Sequence, residues 1–304
     1  MTSLPGVVGV IGLGVMGRPM TANLLRGATG ATQVRVHHRT PDRVQDLVDA
    51  GAVFSTTPRE LAAGADVVLL MLPDLPQVDE VLAGPDGILA GVTEPLVLVI
   101  GSTSSAGDIR TLAQRLTDQT AGLVSVIDAP VSGGEDGAIA GTLAIMVGGE
   151  PDAVVTALPV LSTMGTPVHL GPLGAGEIAK YCNQLIVAST IMAIGEAAVL
   201  AERSGLDLQA MFDLLRGGYA GSRVLETRAQ RVIDEDYSPS GVAKYMVKDL
   251  SFAMDEARAN GTASSLTDAL SALFEDLVAR GFGDDDIAVT RRYVESRSES
   301  AAPH

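Results

Sequence analysis

Short runs of apolar residues recur through the first half of the chain, at intervals that leave room for a helix between them. Six runs are predicted strands: Val7–Ile11, Val34–His37, Val67–Leu72, Leu96–Ile100, Leu123–Ile127 and Leu143–Val147. They are rich in Val and Ile and continuous rather than alternating, which is typical of strands covered on both faces. Helical spacing separates them, for example over Arg18–Arg26, Pro41–Ala50 and Asp108–Thr117. This alternation predicts an α/β fold with a doubly wound parallel sheet over residues 1–170.

The pattern changes near Gly171, and the rest of the chain is predicted to be all-helical. Gly176 to Arg203 contains no proline, and Tyr181–Gly195 carries no charge, so we expect one long, centrally buried helix between two domains. Further helices are predicted between Gly and Pro signals: Asp207–Arg216, Arg223–Asp234, Ala243–Ala259, Ser264–Arg280 and Asp284–Ser296. We therefore expect an all-α C-terminal domain over 171–296 and a disordered tail over 297–304.

Composition narrows the class of protein. A chain of 304 residues suits two domains, and a formal charge of −16 argues against nucleic acid, which needs clustered Lys and Arg. The single cysteine, Cys182, excludes an internal disulfide and is expected to be a small buried filler. The first residues lack the basic start of a signal peptide, and no run of about 18 uninterrupted apolar residues occurs. We expect a cytoplasmic protein that binds no membrane.

A glycine-rich segment follows the first predicted strand and opens a helix, which is the arrangement that dinucleotide binding requires. Its residues are Gly12, Leu13, Gly14, Val15, Met16 and Gly17. Gly12 permits the tight turn, Gly14 lets pyrophosphate approach the backbone, and Gly17 lets helix and strand pack closely. The helix N-terminus adds unpaired N–H groups and a positive dipole end. A Rossmann-type cofactor site is predicted here; the alternative is a glycine-rich loop without a ligand.

The end of the second predicted strand decides which nicotinamide cofactor is used. An acidic residue there usually holds the ribose 2′-hydroxyl of NAD, but this chain reads His37-His38-Arg39-Thr40, with no acid before Asp42. An arginine beside a hydroxyl residue suits a 2′-phosphate. Arg39 and Thr40 therefore predict a preference for NADP, with NAD as the second choice, unless Arg39 is a solvated surface charge.

Ser132, Gly133 and Gly134 follow the fifth predicted strand. A hydroxyl and bare backbone N–H groups after a strand are the donors that a carboxylate needs. A tight turn without a ligand fits the same three residues equally well.

Lys180 is the only Lys or Arg between Gly165 and Glu196, and it lies in the first turns of the long apolar helix. Desolvation and the positive helix end both disfavour a charged ammonium, so its pKa is expected to fall toward the working range of a general acid or base. Asn183 and Gln184, three and four residues on, can share its face. The alternative is a lysine that reaches out to solvent at a domain edge.

Five ordered motifs resemble the β-hydroxyacid dehydrogenase family over nearly the whole chain. The motifs are GLGVMG from Gly12, MLPDLPQVDEVL from Met71, DAPVSGGEDGAIAGTLAIMVGG from Asp128, GAGEIAKYCNQLIVA from Gly174 and VKDLSFA from Val247. The segments Arg216–Ser222 and Gly281–Asp286 resemble the branch that reduces tartronate semialdehyde more than the branch that oxidises 3-hydroxyisobutyrate.

This resemblance implies roles for individual residues. Lys180 would be the catalytic lysine, and Ser132, Gly133 and Gly134 would hold the substrate carboxylate. Lys248 would close over cofactor and substrate. Leu72 and Pro73 would lie along the cofactor, with Ser104 near the nicotinamide.

Two positions depart from the family pattern. Gln184 stands where many members have Asn, with Asn183 one place earlier, so either amide could contact substrate. Gly101 stands where the fourth strand usually ends with Asp.

The predicted activity is hydride transfer between NADP(H) and a small 3-hydroxy acid or its semialdehyde, without a metal, and tartronate semialdehyde is the preferred substrate. The rivals are a 3-hydroxyisobutyrate or related dehydrogenase that uses NAD, an imine reductase and a non-catalytic cofactor-binding module. Imine reductases usually lack lysine at position 180. A homodimer or homotetramer through the helical domain is expected from the resemblance.

Overall fold

The protein is described by a computed structural model covering residues 3–300, and it falls into two compact units. The N-terminal unit ends at Lys180 and the C-terminal unit begins at Tyr181. This division lies later than the predicted boundary at residue 170. The first turn of the long helix is bonded to the sheet through Gly174 and Glu177, so it belongs to the N-terminal unit.

The N-terminal unit is built on a sheet of nine strands among the described residues. They are β1 (Val7–Ile11), β2 (Gln33–His37), β3 (Val53–Phe54), β4 (Val67–Leu70), β5 (Leu96–Ile100), β6 (Val124–Asp128), β7 (Val131–Ser132), β8 (Leu143–Gly148) and β9 (Gly165–Gly171). Their order is β3-β2-β1-β4-β5-β6-β8-β7, and β9 pairs with β8. The pairs from β3 through to β6 are parallel, which confirms the predicted α/β class.

One part of the sheet is not parallel. Asp128 pairs with Gly148, and Val131 and Ser132 of β7 pair with β8, all in one antiparallel register. Residues 128–132 and 144–148 are therefore the two arms of a hairpin, and a helix rather than a tight turn connects them. The prediction that Leu143–Val147 joins the parallel set is wrong, because a hairpin reverses the chain where a longer crossover would not.

Helices cover both faces of this sheet. They are α1 (Gly17–Gly27), α2 (Gln45–Asp49), α3 (Pro58–Ala62), α4 (Leu75–Leu82), α5 (Ile88–Gly91), α6 (Ala106–Gln119), α7 (Gly134–Ala140) and α8 (Pro151–Ser162). Alternate strand residues point to opposite faces. Val67 and Leu69 join the core cluster with α1 and α8, whereas Val68 and Leu70 join the cluster with α3, α4 and α6. The sheet is thus doubly wound, as predicted.

The C-terminal unit is helical and has its own core around Phe212, Phe274 and Tyr293. Its helices are α9 (Ala175–Arg203, which starts in the N-terminal unit), α10 (Leu208–Arg216), α11 (Arg223–Asp234), α12 (Tyr245–Asn260), α13 (Ser265–Leu277) and α14 (Thr290–Ser300). A π-turn over Val278–Phe282 follows α13, with Gly281 at φ +90°, so the helix predicted to Arg280 ends earlier.

The predicted disordered tail is wrong in its first part. Helix α14 continues through Ser300, and the Ser298 hydroxyl donates to the Val294 carbonyl at 2.9 Å. Residues 301–304 of that tail lie outside the described residues.

The composition of α9 predicts a helix that is buried on every side, and this prediction is wrong. Ile186 and Leu200 are 66% and 69% exposed, and Cys182 is exposed rather than a buried filler. By length and composition, α9 is the one helix in the described part of the chain that could cross a membrane. The core helix of a soluble protein passes the same test, and half of the most apolar window of α9 is buried.

Candidate active site

The glycine turn after β1 has the geometry that a dinucleotide needs. Gly12 has φ +95°, and a Cβ there would lie 2.3 Å from the Met71 carbonyl oxygen. A Cβ on Gly17 would lie 1.9 Å from the Gly12 carbonyl oxygen, so the turn and α1 pack without room for a side chain. Gly14 faces open space, with nothing within 4 Å of its Cβ position. The turn therefore leaves its backbone accessible where a pyrophosphate would approach.

The other residues of this turn divide into anchors and exposed positions. Leu13 is buried and Met16 packs against the core, whereas Val15 is exposed. The turn is thus fixed from beneath while its outer surface stays open.

The loop after β2 presents two of the predicted cofactor residues. Arg39 and Thr40 are both exposed. The Thr40 N–H donates to His38 Nδ1 at 2.9 Å, which shapes the loop. Arg39 forms no hydrogen bond or ion pair with another residue of the range 3–300, so its guanidinium is available to an anion.

Sequence reasoning missed Arg18, which directly follows the glycine turn. Its guanidinium donates to the Asp46 carboxylate and to the Arg43 carbonyl oxygen, and so links α1 to α2 and to the helical turn that precedes α2. The hydrogen bond from Arg18 lowers the pKa of the Asp46 carboxyl. The signal for Arg18 was a cation immediately after the fingerprint.

Leu72, Pro73 and Ser104 follow the carboxyl ends of β4 and β5, the same sheet edge as the glycine turn. Leu72 is partly buried against the core, and Ser104 is buried, with its hydroxyl 3.4 Å from the Ser102 carbonyl oxygen. The predicted strand to Leu72 ends at Leu70, so Leu72 and Pro73 belong to the loop.

The departure at Gly101 has a steric explanation. A Cβ on Gly101 would lie 2.2 Å from Met71 Sδ. The Met71 side chain thus occupies the space that a larger residue at position 101 would need.

Ser132, Gly133 and Gly134 form the junction between β7 and α7. Gly133 has φ +138° and Gly134 has φ +63°, conformations that favour glycine. Both glycines are exposed, and nothing lies within 4 Å of a Cβ on Gly134. The junction therefore leaves room for a ligand at the start of α7.

Lys180 is held against the strand that carries Ser132. Its Nζ donates to the Val131 carbonyl oxygen at 2.8 Å, and the residue is 8% exposed. The alternative of a lysine that reaches out to solvent is therefore wrong. The structure places Lys180 and Ser132 together within the N-terminal unit.

Asp128, at the end of β6, was quoted in a motif but not predicted as a site residue. Its fully buried carboxylate accepts the N–H groups of Gly174 at 2.7 Å and Glu177 at 2.8 Å. Burial raises the pKa of this carboxyl, while the backbone N–H donors act in the opposite direction. No local spacing could reveal this contact, which spans more than forty residues of sequence.

Within the C-terminal unit, Asn183 and Gln184 of α9 form a chain of hydrogen bonds that ends on α12. The Gln184 Nε2 donates to Asp249 Oδ2 at 2.6 Å, and Asn183 Nδ2 donates to Gln184 Oε1 at 2.8 Å. Lys248 is half-buried, and its Nζ lies 5.8 Å from the centre of the Phe252 ring. Asp249 was missed; the signal was its place beside Lys248 in the last motif.

A glycine turn at the carboxyl edge of a doubly wound sheet, with a buried lysine held at the same edge, defines the class as an NAD(P)-dependent dehydrogenase. The sequence profile of the NAD binding domain of 6-phosphogluconate dehydrogenase matches residues 7–174. That of the NAD-binding domain of NADP-dependent 3-hydroxyisobutyrate dehydrogenase matches residues 174–293. The chain belongs to the β-hydroxyacid dehydrogenase family.

Individual relatives resemble this chain over most of its length. The 2-hydroxy-3-oxopropionate reductase of Escherichia coli is 35% identical over 276 residues, covering 90% of this chain and 92% of that protein. The NAD-dependent L-serine dehydrogenase of Pseudomonas aeruginosa is 32% identical, covering 94% and 96%. The solved structure of Mycobacterium tuberculosis 3-hydroxyisobutyrate dehydrogenase with L-serine matches with a TM-score of 0.81 at 31% identity, covering 96% and 99%.

Proposed function

We propose that this protein reduces a small semialdehyde that carries a carboxylate, that it prefers NADPH, and that tartronate semialdehyde, reduced to glycerate, is its substrate. The observation that carries the proposal is the buried Lys180 amine, bonded to the strand that leads into Ser132. Family membership supports NAD(P)-dependent oxidation of a small 3-hydroxy acid and the reverse reduction of its carbonyl form.

The substrate carboxylate would bind the Ser132 hydroxyl and the backbone N–H groups of Gly133 and Gly134. The bound nicotinamide supplies the hydride in reduction and accepts it in oxidation. Lys180 gives a proton to the carbonyl oxygen as the C–H bond forms, so the aldehyde becomes an alcohol; in the reverse direction Lys180 takes the hydroxyl proton. The Val131 carbonyl orients the amine, and no metal is part of the proposal.

The amide that contacts substrate is assigned to Asn183. Both ends of the Gln184 amide are bonded within the protein, its nitrogen to Asp249 and its oxygen to Asn183. Gln184 and Asp249 therefore position Asn183. N183A should lower kcat/KM for the semialdehyde more than Q184A does, because Q184A leaves the Asn183 amide in place. The reverse order would assign the contact to Gln184.

The NADP preference rests on Arg39 and Thr40, exposed after β2 with no acidic residue beside them. The relative named NAD-dependent shows that the family also contains users of NAD. A cytoplasmic location stays a prediction.

A second copy of this chain is proposed to cover the apolar residues that α9 and α10 expose, among them Ile186, Leu200 and Leu214. Sedimentation velocity should show a dimer or tetramer. A monomer at micromolar concentration would contradict this proposal.

The function is tested by the fall in NADPH absorbance with tartronate semialdehyde and with methylmalonate semialdehyde, each repeated with NADH. We expect the highest kcat/KM for tartronate semialdehyde with NADPH. A higher value for methylmalonate semialdehyde with NADH would favour the 3-hydroxyisobutyrate alternative. Turnover of cyclic imines but of neither semialdehyde would favour an imine reductase, and tight NADPH binding without any turnover would favour a non-catalytic module.

A further inference from the structure

A fully buried carboxylate joins the end of β6 to the start of α9. We propose that Asp128 is a positioning residue: it fixes the first turn of α9 against the sheet and thereby holds the Lys180 amine beside the strand that carries Ser132. The consequence for catalysis rests on the proposed function; the placement of the amine does not.

The carboxylate takes the place of a helix cap. The first N–H groups of a helix have no partner within the helix and need an acceptor. Asp128 supplies one from a different element, accepting Gly174 N with Oδ1 and Glu177 N with Oδ2. A negative group at this end also complements the helix dipole. Both oxygens are used, so the direction in which α9 leaves the sheet is fixed.

Two glycines bring the helix close enough for these bonds. A Cβ on Gly176 would lie 2.2 Å from the Met146 carbonyl oxygen and 2.8 Å from Asp128 Oδ2. A Cβ on Gly148 would lie 2.4 Å from Asp128 Oδ1. The carboxylate thus sits between β8 and α9 with no room to move.

Helix α9 is joined a second time to the segment that runs from the end of β6 into β7. Asp128 binds Glu177, and three residues further along each element Val131 binds Lys180. The two contacts hold successive residues of α9 to successive residues of one short segment, so the position of the lysine amine depends on where the helix begins. A shift of the first turn would move the amine away from the Val131 carbonyl.

An amide of the same shape cannot replace the carboxylate. Asparagine has one oxygen acceptor, and its NH2 group would face a backbone N–H donor. D128N should therefore displace the start of α9 although it conserves side-chain volume.

The chain contains a matched control in Asp286. This aspartate is also fully buried and also accepts two backbone N–H groups, from Gly241 at 2.8 Å and Ala288 at 3.0 Å, but in the C-terminal unit. D286N makes the same side-chain change away from the sheet, and it also weakens the ion pairs of Asp286 with Arg228 and Arg231. A purely structural role for Asp128 predicts that both variants lose stability and that neither exposes Lys180 selectively.

The first experiment needs no activity. Full-length wild type, D128N and D286N are labelled with an amine-acylating reagent, and acylation of Lys180 is followed by peptide mass spectrometry. We expect Lys180 to be labelled slowly in wild type and D286N, and at least about tenfold faster in D128N. A tenfold increase requires that local opening at the start of α9 become easier by only ~1.4 kcal/mol. Equal labelling of Lys180 in all three proteins would overturn it.

The second experiment measures kcat, the KM for NADPH and the pH profile. D128N should lower kcat by about 10- to 100-fold and shift the pH profile of kcat, because the Lys180 amine is displaced. The KM for NADPH should remain nearly unchanged. D286N should lower Tm but keep kcat per folded molecule and the profile. If D128N does not fold, G176A serves instead, since its methyl group displaces the helix but leaves the carboxylate. A wild type inactive on every semialdehyde would contradict the proposed function, while the labelling result would still decide the role of Asp128.

Discussion

The two units bury their charged side chains in different ways. In the C-terminal unit, Arg291 is bonded to Glu202 and Glu295, and Asp286 is paired with Arg228 and Arg231. In the N-terminal unit, the Asp128 carboxylate accepts backbone N–H groups, and the Lys180 amine donates to a backbone carbonyl.

This difference affects how strongly the surroundings stabilise the charged form of each buried group. An ion pair stabilises the charged form of both partners, so such a group resists losing or gaining a proton. A buried carboxylate that accepts only backbone N–H groups is less strongly stabilised in its charged form, and burial raises the pKa of Asp128. The ion pairs of Arg291 and Asp286 thus hold the helical unit together, whereas Lys180 of the sheet unit is the amine to which the proposed function assigns proton transfer.

The largest expected effect comes from removing that amine. K180A should lower kcat by about 10²- to 10⁴-fold, because the carbonyl oxygen loses its proton donor, while the Kd for NADPH and the Tm change little. Steady-state kinetics and cofactor titration measure both. K244A is the control, since Lys244 is exposed and paired with Asp284. If K180A lost turnover and cofactor binding equally, Lys180 would have a structural role, like the ion-paired residues of the C-terminal unit.

The reverse behaviour is expected for Arg291. Its side chain is 5% exposed and also donates to the carbonyls of Val232 and Ile233. R291A should lower the free energy of unfolding by about 3 kcal/mol, since it leaves these acceptors without a donor, and should leave kcat per folded molecule intact.

Denaturant unfolding and kinetics on the same samples test this. R223A is the control, because Arg223 is 82% exposed and its pair with Glu226 should contribute below ~0.5 kcal/mol. A fall in kcat without a fall in stability for R291A would place chemistry in the ion-pair network.

Arg39 represents a third arrangement. Its guanidinium is exposed and forms no hydrogen bond or ion pair with another residue of the range 3–300. R39Q should lower the ratio of kcat/KM for NADPH to that for NADH by about 10- to 100-fold, the loss of one or two charge-assisted hydrogen bonds. R115Q, on α6 and paired with Asp79, is the control. An unchanged ratio in R39Q would make Arg39 a solvated surface charge.

The smallest effect concerns Tyr237 of the C-terminal unit, a half-buried residue whose neutral hydroxyl is buried. Burial, with the charge of Glu235, raises the pKa of its hydroxyl to about 12 from 10.0. This raised pKa makes a contribution to stability that is complete below pH 10 and lost as the pH rises toward about 12, because the unfolded chain ionises first.

Y237F should remove that loss. Its Tm should match or slightly exceed wild type at pH 7, since the hydroxyl has no hydrogen-bond partner among the described residues, and should exceed it clearly at pH 11. Parallel alkaline profiles of the two proteins would contradict the assignment.

Local sequence patterns were enough to predict most helices and strands and the site residues that lie within short motifs. Continuous apolar runs identified the strands of the parallel set except β3, whose two residues are too few to form such a run, and the glycine turn was predicted with its three steric roles. Lys180 stood out because it is a lone cation in an apolar helix. Each of these signals lies within a few residues of sequence.

Contacts between residues far apart in sequence, and the strands at one edge of the sheet, could not be predicted from local patterns. Asp128 and Asp249 bind partners 46 to 65 residues away, and no periodicity encodes that pairing. β9 was missed because this edge strand exposes Val168 and Leu170 and so lacks the apolar run of a buried strand. The direction of β8 depends on its pairing with residues 128–132, which its own sequence does not specify.

The exposed thiol of Cys182 has a practical consequence. It is the only cysteine in the chain and lies two residues after Lys180. Cys182 lies four residues before Ile186, on the face that a second copy is proposed to cover, so a maleimide fluorophore would attach at one defined point and fastest in the monomer. Its emission would give an optical reporter of events at the start of α9, readable during a single turnover.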